Sequence, residues 1–297
     1  EGDIYMRVGN LYGNPAEPIV SFEFFPPRDE KAEKGFYTVV DELATLNPDY
    51  MSVTFGAGGS TREGSYQAVK KMVEKKLPTV AYLAGFGLSP DEITGVLDRY
   101  KALGVETIFV IRGDEPRNDD FKPHPDSFSY ASDLLGFISD RYDFDLGCAG
   151  YPEGHVQAES LEKDIECLKL KQDQGARYVV AQYFYDNDYF FSYVDRCRAA
   201  GVTVPIIPGI MPIYTVKLTN MLCKLCGSAI PAGLKERLDA LASADAGEVA
   251  ALGVEVALEQ CRDLLARGVD GLHFYTMDRS GSVTSIVQRL KEQGLLK

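Results

Sequence analysis

The chain has 297 residues, 45% hydrophobic and 25% charged, which is enough apolar content to fill the core of one large domain. Its formal net charge of −13 argues against nucleic acid, whose phosphates need a basic surface, but leaves room for a small anion held by one local Arg or Lys. No apolar run approaches the roughly 20 residues that span a bilayer, and residues 1–6 lack the basic and apolar regions of a signal peptide, so a reduced, cytoplasmic protein is expected.

A lead-in over 1–18 precedes the first expected strand, 19–25, which runs through Ser21-Phe22-Glu23-Phe24-Phe25 into Pro26-Pro27. Burying an unpaired carboxylate is costly, so Glu23 is expected to be partnered or to stay partly protonated, as an acid tuned by flanking aromatics. An ion pair with a barrel Lys or Arg is its purely structural alternative. A helix over 32–46 leads to strand 51–55, where Thr54 precedes the small-residue loop Phe55-Gly56-Ala57-Gly58-Gly59-Ser60-Thr61. Such a loop lets a ligand approach the backbone, or serves only as a flexible turn. Helix 62–75 and strand 79–84 follow, then helix 90–103, opened by Ser89-Pro90-Asp91-Glu92. That start combines a capping Ser, a first-turn Pro and acids facing the helix dipole. Strand 107–111 runs into Arg112-Gly113-Asp114-Glu115, which supplies both donors and acceptors.

Helix 130–140 leads to strand 145–149 and the run Tyr151-Pro152-Glu153-Gly154-His155. Helix 161–174 leads to strand 178–182, ending Gln182-Tyr183-Phe184-Tyr185-Asp186. Helix 189–200, strand 204–208 and helix 215–225 come next. That last helix carries Cys223-Lys224-Leu225-Cys226, read as packing because no second pair follows at zinc spacing. The three histidines are too separated to suggest a metal centre. An extra helical stretch, 247–267, precedes the last strand, 271–275, which ends His273-Phe274-Tyr275-Thr276-Met277-Asp278-Arg279; helix 282–295 closes the chain.

Glycine recurs between helix and strand at Gly104, Gly175, Gly201 and Gly268, where a left-handed cap turns the chain back to the sheet. Eight apolar strands alternating with helices, with no linker between them, predict one (β/α)8 TIM barrel over 1–297. No GxGxxG follows the first strand, so an open dinucleotide-binding sheet is the weaker alternative. The polar and aromatic residues at the strand ends then gather into one mouth suited to a flat heteroaromatic cofactor.

Five of these stretches, in order, resemble motifs of the methylenetetrahydrofolate reductase family. They are Phe22-Glu23-Phe24-Phe25-Pro26-Pro27-Arg28, Arg112-Gly113-Asp114, Tyr151-Pro152-Glu153-Gly154-His155, Pro208-Gly209-Ile210-Met211-Pro212 and His273-Phe274-Tyr275-Thr276. The similarity covers nearly the whole chain. It implies a (β/α)8 barrel that binds FAD and reduces 5,10-methylenetetrahydrofolate to 5-methyltetrahydrofolate in one-carbon metabolism and methionine biosynthesis, with NADH as the expected co-substrate. By resemblance Glu23 is the acid that opens the bridging methylene and Asp114 the charge that stabilises the resulting cation. Thr54, Gln182, Tyr275 and Arg279 fall on the folate side. Thr54, Tyr82, Arg112, Gly113, Asp114, Tyr130, Ala131, Tyr151, His155, Asp164 and Lys171 fall on the FAD side, with Asp164 and Lys171 seven apart on one helix face.

The chain departs from the family pattern in three places. Ala81-Tyr82-Leu83-Ala84-Gly85 stands where relatives have His-Leu-Thr, Leu218 and Leu222 where some have Gln and Phe, and Val156-Gln157 where Pro-Glu is usual. These departures touch the electron-donor side more than the folate side. Alternatives are a flavin-independent, NADH-dependent relative, suggested by Tyr82, a subunit fed electrons by a partner protein, and a non-catalytic folate-binding barrel. Homo-oligomerisation is left open.

Overall fold

Parallel strands buried on both faces need no polar face, and the strands of this chain are apolar almost throughout. The computed structural model describes residues 7–56, 59–115 and 122–297, and of 59–61 the backbone only. Residues 1–6 of the lead-in, Ala57, Gly58 and the side chains of Ser60 and Thr61 lie outside the described residues. A short 3-10 turn, Val8–Asn10, leads into β1 (Ile19–Phe24), α1 (Glu30–Ala44), β2 (Tyr50–Val53), α2 (Gly59–Glu74), β3 (Thr79–Ala84), α3 (Pro90–Ala102) and β4 (Thr107–Ile111). Then come α4 (Ala131–Ser139), β5 (Asp145–Gly150), α5 (Leu161–Asp173), β6 (Ala176–Ala181), α6 (Asn187–Ala199), β7 (Ile206–Ile207) and β8 (Gly209–Ile210). Three helices follow, α7 (Val216–Cys226), α8 (Ala232–Ala240) and α9 (Ala246–Ala266), before β9 (Gly271–Tyr275) and α10 (Gly281–Glu292).

Every strand pairing is parallel, in the order β7-β6-β5-β4-β3-β2-β1-β9-β8. The expected seventh strand is present as two halves on either side of Pro208. Proline has no N–H for the ladder, so pairing breaks there, while its carbonyl accepts from His273 N at 3.1 Å. β7 pairs with β6 and β8 with β9, which carries the ladder round into a (β/α)8 barrel. α9 is the extra helix expected before the last strand; α8 was not foreseen. Gly104, Gly175, Gly201 and Gly268 have φ of +80°, +110°, +83° and +84°, the left-handed caps read from the sequence. α3 opens with a capping box in which Ser89 and Glu92 bond each other's backbone N–H. Among the described residues, no helix is long and apolar enough to cross a membrane.

Strand side chains alternate between two faces, and that parity sorts β1. Val20, Phe22 and Phe24 join the layer between sheet and helices, whereas Ile19 packs in the barrel interior with Tyr12, Tyr50, Val80, Tyr82, Phe109 and Tyr178. Ser21 and Glu23 share the parity of Ile19. The amino-terminal turn plugs the bottom of the barrel, with Gly9 N donating to the buried carboxylate of Asp145 at 2.6 Å and Val8 N to Thr107 Oγ1 at 3.2 Å.

Candidate active site

The strands end in a cavity of about 1320 Å³. One small-ligand pocket takes roughly 300–1,000 Å³, so there is room for two partners side by side. Glu23 stands on its floor, 7% exposed, on the barrel face of β1. The flanking aromatics that the sequence suggested as its surroundings point the other way, because Phe22 and Phe24 are one residue out of phase. Glu23 is instead surrounded by residues brought in by strand register: Tyr275 beside it on β9, Ser52 on β2, and Tyr82 from β3.

Nor is its partner a Lys or Arg. The Tyr82 hydroxyl donates to Glu23 Oε2, and His273 Nε2 lies 3.5 Å from the same oxygen. Ser21 Oγ bonds His273 Nδ1 at 2.8 Å, which ties down the far side of the imidazole. The backbone of Glu23 is clamped as well: its carbonyl accepts from Thr276 Oγ1 at 2.6 Å and Thr276 N at 3.2 Å. Tyr82 stacks on Phe109 with centroids 4.4 Å apart, and Tyr275 meets His273 edge-on at 5.2 Å. Burial first, and the Glu23 charge second, hold the Tyr82 and Tyr275 phenols well above their ordinary range, so both remain protonated.

Around this floor the cavity is lined by Thr54, Arg112, Gly113, Asp114, Tyr151, His155 and Gln182, along with Glu23, Tyr82 and Tyr275. Gly113 takes a left-handed φ of +86° and backs onto Ala84, where an added Cβ would come within 2.9 Å of that side chain. Gln182 Oε1 accepts from Tyr183 N at 3.1 Å, which leaves its amide NH₂ to face a ligand. The Tyr275 hydroxyl is already committed to the Ala181 carbonyl at 3.0 Å, so this residue presents its ring.

Five candidates from the sequence do not line the cavity. Asp164 and Lys171 share a face of α5 as expected, but stand behind the wall: Asp164 accepts from His155 N at 3.3 Å and Lys171 donates to the Ala149 carbonyl at 3.0 Å. Burial raises the Asp164 carboxyl and lowers the His155 imidazole, the second shift opposed by the Asp164 charge. Tyr130, 65% exposed, and Ala131 begin α4, whose first N–H groups have no side-chain cap. Arg279 lies over the Tyr214 ring at 5.0 Å.

Sequence reasoning placed Ser21, His273 and Asp278 in the strand-end runs but gave none of them a role in the site. The signal was available in strand parity, since Ser21 stands two before Glu23 and His273 two before Tyr275. Asp278 has a left-handed φ of +53°, accepts from Phe25 N at 3.0 Å, and is pushed up to about 6, chiefly by burial. Of the two helix cysteines, Cys223 packs against Tyr183, Met211 and Tyr214, and Cys226 lines the cavity.

The family model for methylenetetrahydrofolate reductase matches residues 12–291. The chain belongs to that family. It is 37% identical over 274 residues to methylenetetrahydrofolate reductase 1 of Schizosaccharomyces pombe, covering 91% of this chain and 45% of that protein. It is 34% identical over 262 residues to the 5,10-methylenetetrahydrofolate reductase of Escherichia coli, covering 88% and 86%. With methylenetetrahydrofolate reductase (NADH) 1 of Arabidopsis thaliana the identity is 34%, over 91% of this chain and 48% of the plant protein. The chain thus spans about half the length of its yeast and plant relatives and most of the bacterial one. A solved Clostridium thermocellum protein, described as binding two copies of 5-methyl-5,6,7,8-tetrahydrofolic acid, shares the fold at 16% identity, with a TM-score of 0.62 over 93% of this chain and 95% of that one.

Proposed function

We propose that this member of the family reduces 5,10-methylenetetrahydrofolate to 5-methyltetrahydrofolate, using FAD and taking electrons from NADH. The observation that carries the reading is Glu23, a buried carboxyl on the cavity floor whose Oε2 is held by Tyr82. The substrate's methylene bridges two nitrogens, and opening it requires a proton on the nitrogen that leaves. A buried carboxyl on the cavity floor is placed to give one. Loss of that nitrogen leaves a cationic iminium, and Asp114 on the cavity wall supplies the opposite charge. The free amide NH₂ of Gln182 can hold an acceptor on the pterin edge, and the Tyr275 ring offers a flat contact.

The residues of the wall support a flavin dinucleotide as the cofactor. Arg112, Tyr151 and His155 line it, and Lys171 braces it from behind with its ammonium 5.6 Å from the Tyr151 ring; the start of α4, outside the lining, has no side-chain cap among the described residues. We assign FAD to these residues and to Gly113. Bound there, it would supply the hydride that reduces the iminium carbon. NADH is supported as donor by the Arabidopsis relative, which carries NADH in its name. Tyr82, the departure that suggested a flavin-independent enzyme, has its hydroxyl on Glu23.

The test is product analysis. Purified protein, FAD, NADH and 5,10-methylenetetrahydrofolate are incubated anaerobically, and 5-methyltetrahydrofolate is identified by mass. Product that depends on both FAD and NADH supports the reading; its absence overturns it.

A further inference from the structure

We propose that Tyr82 is the positioning residue for Glu23: its hydroxyl holds Oε2 and leaves Oε1, the oxygen that carries the transferable proton, to the substrate. The inference rests on the reaction assigned above. By the family resemblance an imidazole is expected at this place in the strand, on the flavin side. In this chain the larger phenol reaches across the barrel to the acid.

Parity gives the direction. Val80 and Tyr82 pack in the barrel interior, and Ala81 and Leu83 pack towards the helices. Stacking on Phe109 at 4.4 Å and 20° fixes the plane of the ring, and the residue as a whole is buried. His273 Nε2 approaches the same oxygen at 3.5 Å. Two groups thus converge on Oε2, while among the described residues no hydrogen bond is made to Oε1, and Glu23 lines the cavity.

The chemistry makes this contact unequal between ground and transition states. In the proton transfer the Oε1–H bond breaks, an N–H bond forms on the leaving nitrogen, and the electron pair stays on the carboxylate. Negative charge therefore grows on Glu23 as the proton departs, and a hydrogen bond to a charged acceptor is roughly twice as strong as one between neutral groups. Tyr82 stabilises the transition state more than the bound substrate, so its contribution belongs in kcat rather than in substrate affinity. Tyr82 keeps its own proton throughout, since burial holds its phenol far above the working pH.

Tyr82→Phe removes the hydroxyl and keeps the stacked ring. Reduced holoenzyme is mixed anaerobically with 5,10-methylenetetrahydrofolate across a pH series, and flavin reoxidation is followed. The expected result is a rate about 10- to 100-fold lower at unchanged substrate affinity. A donor to a carboxylate favours the ionised form, so its removal should also move the alkaline limb to higher pH. In a Glu23→Gln background the same change should cost nothing further. If the Phe variant fails to fold, site-specific 3-fluorotyrosine at position 82 makes a stronger donor of nearly the same size, and the limb should move to lower pH. Rates and pH profiles that match wild type, or a change confined to flavin binding, overturn the role of Tyr82. A wild-type protein that the folate does not reoxidise overturns the assigned reaction, and this inference with it.

Discussion

Ser21 Oγ sits 2.8 Å from His273 Nδ1, and the opposite nitrogen of that ring lies 3.5 Å from Glu23 Oε2. The two residues are paired by register, Ser21 on β1 directly beside His273 on β9. The nitrogen facing Glu23 is buried and has no other partner among the described residues. The Ser21 contact holds the ring by one nitrogen and so fixes which nitrogen faces the carboxyl. Ser21→Ala removes that hold on the ring. It should lower folate turnover about 2- to 10-fold, the worth of one ordinary hydrogen bond, and leave NADH reduction of the flavin unchanged. A steady-state comparison of the two half-reactions checks it; equal loss in both would contradict the assignment.

Asp114→Asn keeps shape and removes charge on the cavity wall. Folate turnover should fall, and the flavin potential should rise, because a fixed negative charge near the ring opposes the addition of electrons. Spectroelectrochemistry reads the second effect, and an unchanged or lower potential contradicts the placement.

Asp278 gives a pH dependence of stability. Burial pushes its carboxyl from 3.8 up to about 6 in the folded protein. The folded state then binds the proton more tightly than the unfolded chain, so stability falls as pH rises through the window from about 4 to 6. Asn cannot ionise, still accepts from Phe25 N, and tolerates the left-handed backbone. Asp278→Asn should therefore stabilise the protein more at pH 7.5 than at pH 4, by ~1 kcal/mol after allowance for partial solvent exposure. Urea unfolding at the two pH values measures the difference; an equal gain at both would be against it.

The barrel was legible because its signals are local. Glycine at 104, 175, 201 and 268 needs only its own left-handed conformation, and the capping box at Ser89 is complete within four residues. The split of the seventh strand at Pro208 could have been read from the missing N–H. α8 was hard to see: it is short, weakly amphipathic, and begins after Pro231 with no side-chain cap. The site was legible in its members more than in its contacts. Glu23 was found, but its sequence neighbours Phe22 and Phe24 face the helices, and its real partners lie 59 and 250 residues away, at Tyr82 and His273. Tyr82 read as a departure on the flavin side because a motif records position along the chain, whereas the reach of a phenol from β3 to the acid on β1 depends on how both are set in register with β2.

The central claim is that Glu23 gives the proton that opens the folate bridge. Glu23→Gln is nearly isosteric, and its amide cannot serve as that acid. Wild-type and variant protein, each with its flavin fully reduced, are mixed anaerobically with 5,10-methylenetetrahydrofolate in a stopped-flow instrument, and the return of flavin absorbance is timed. Loss of a general acid should slow the variant by about 10² to 10⁴, while NADH bleaches its flavin as fast as wild type. Reoxidation of the variant at the wild-type rate would remove Glu23 from the chemistry.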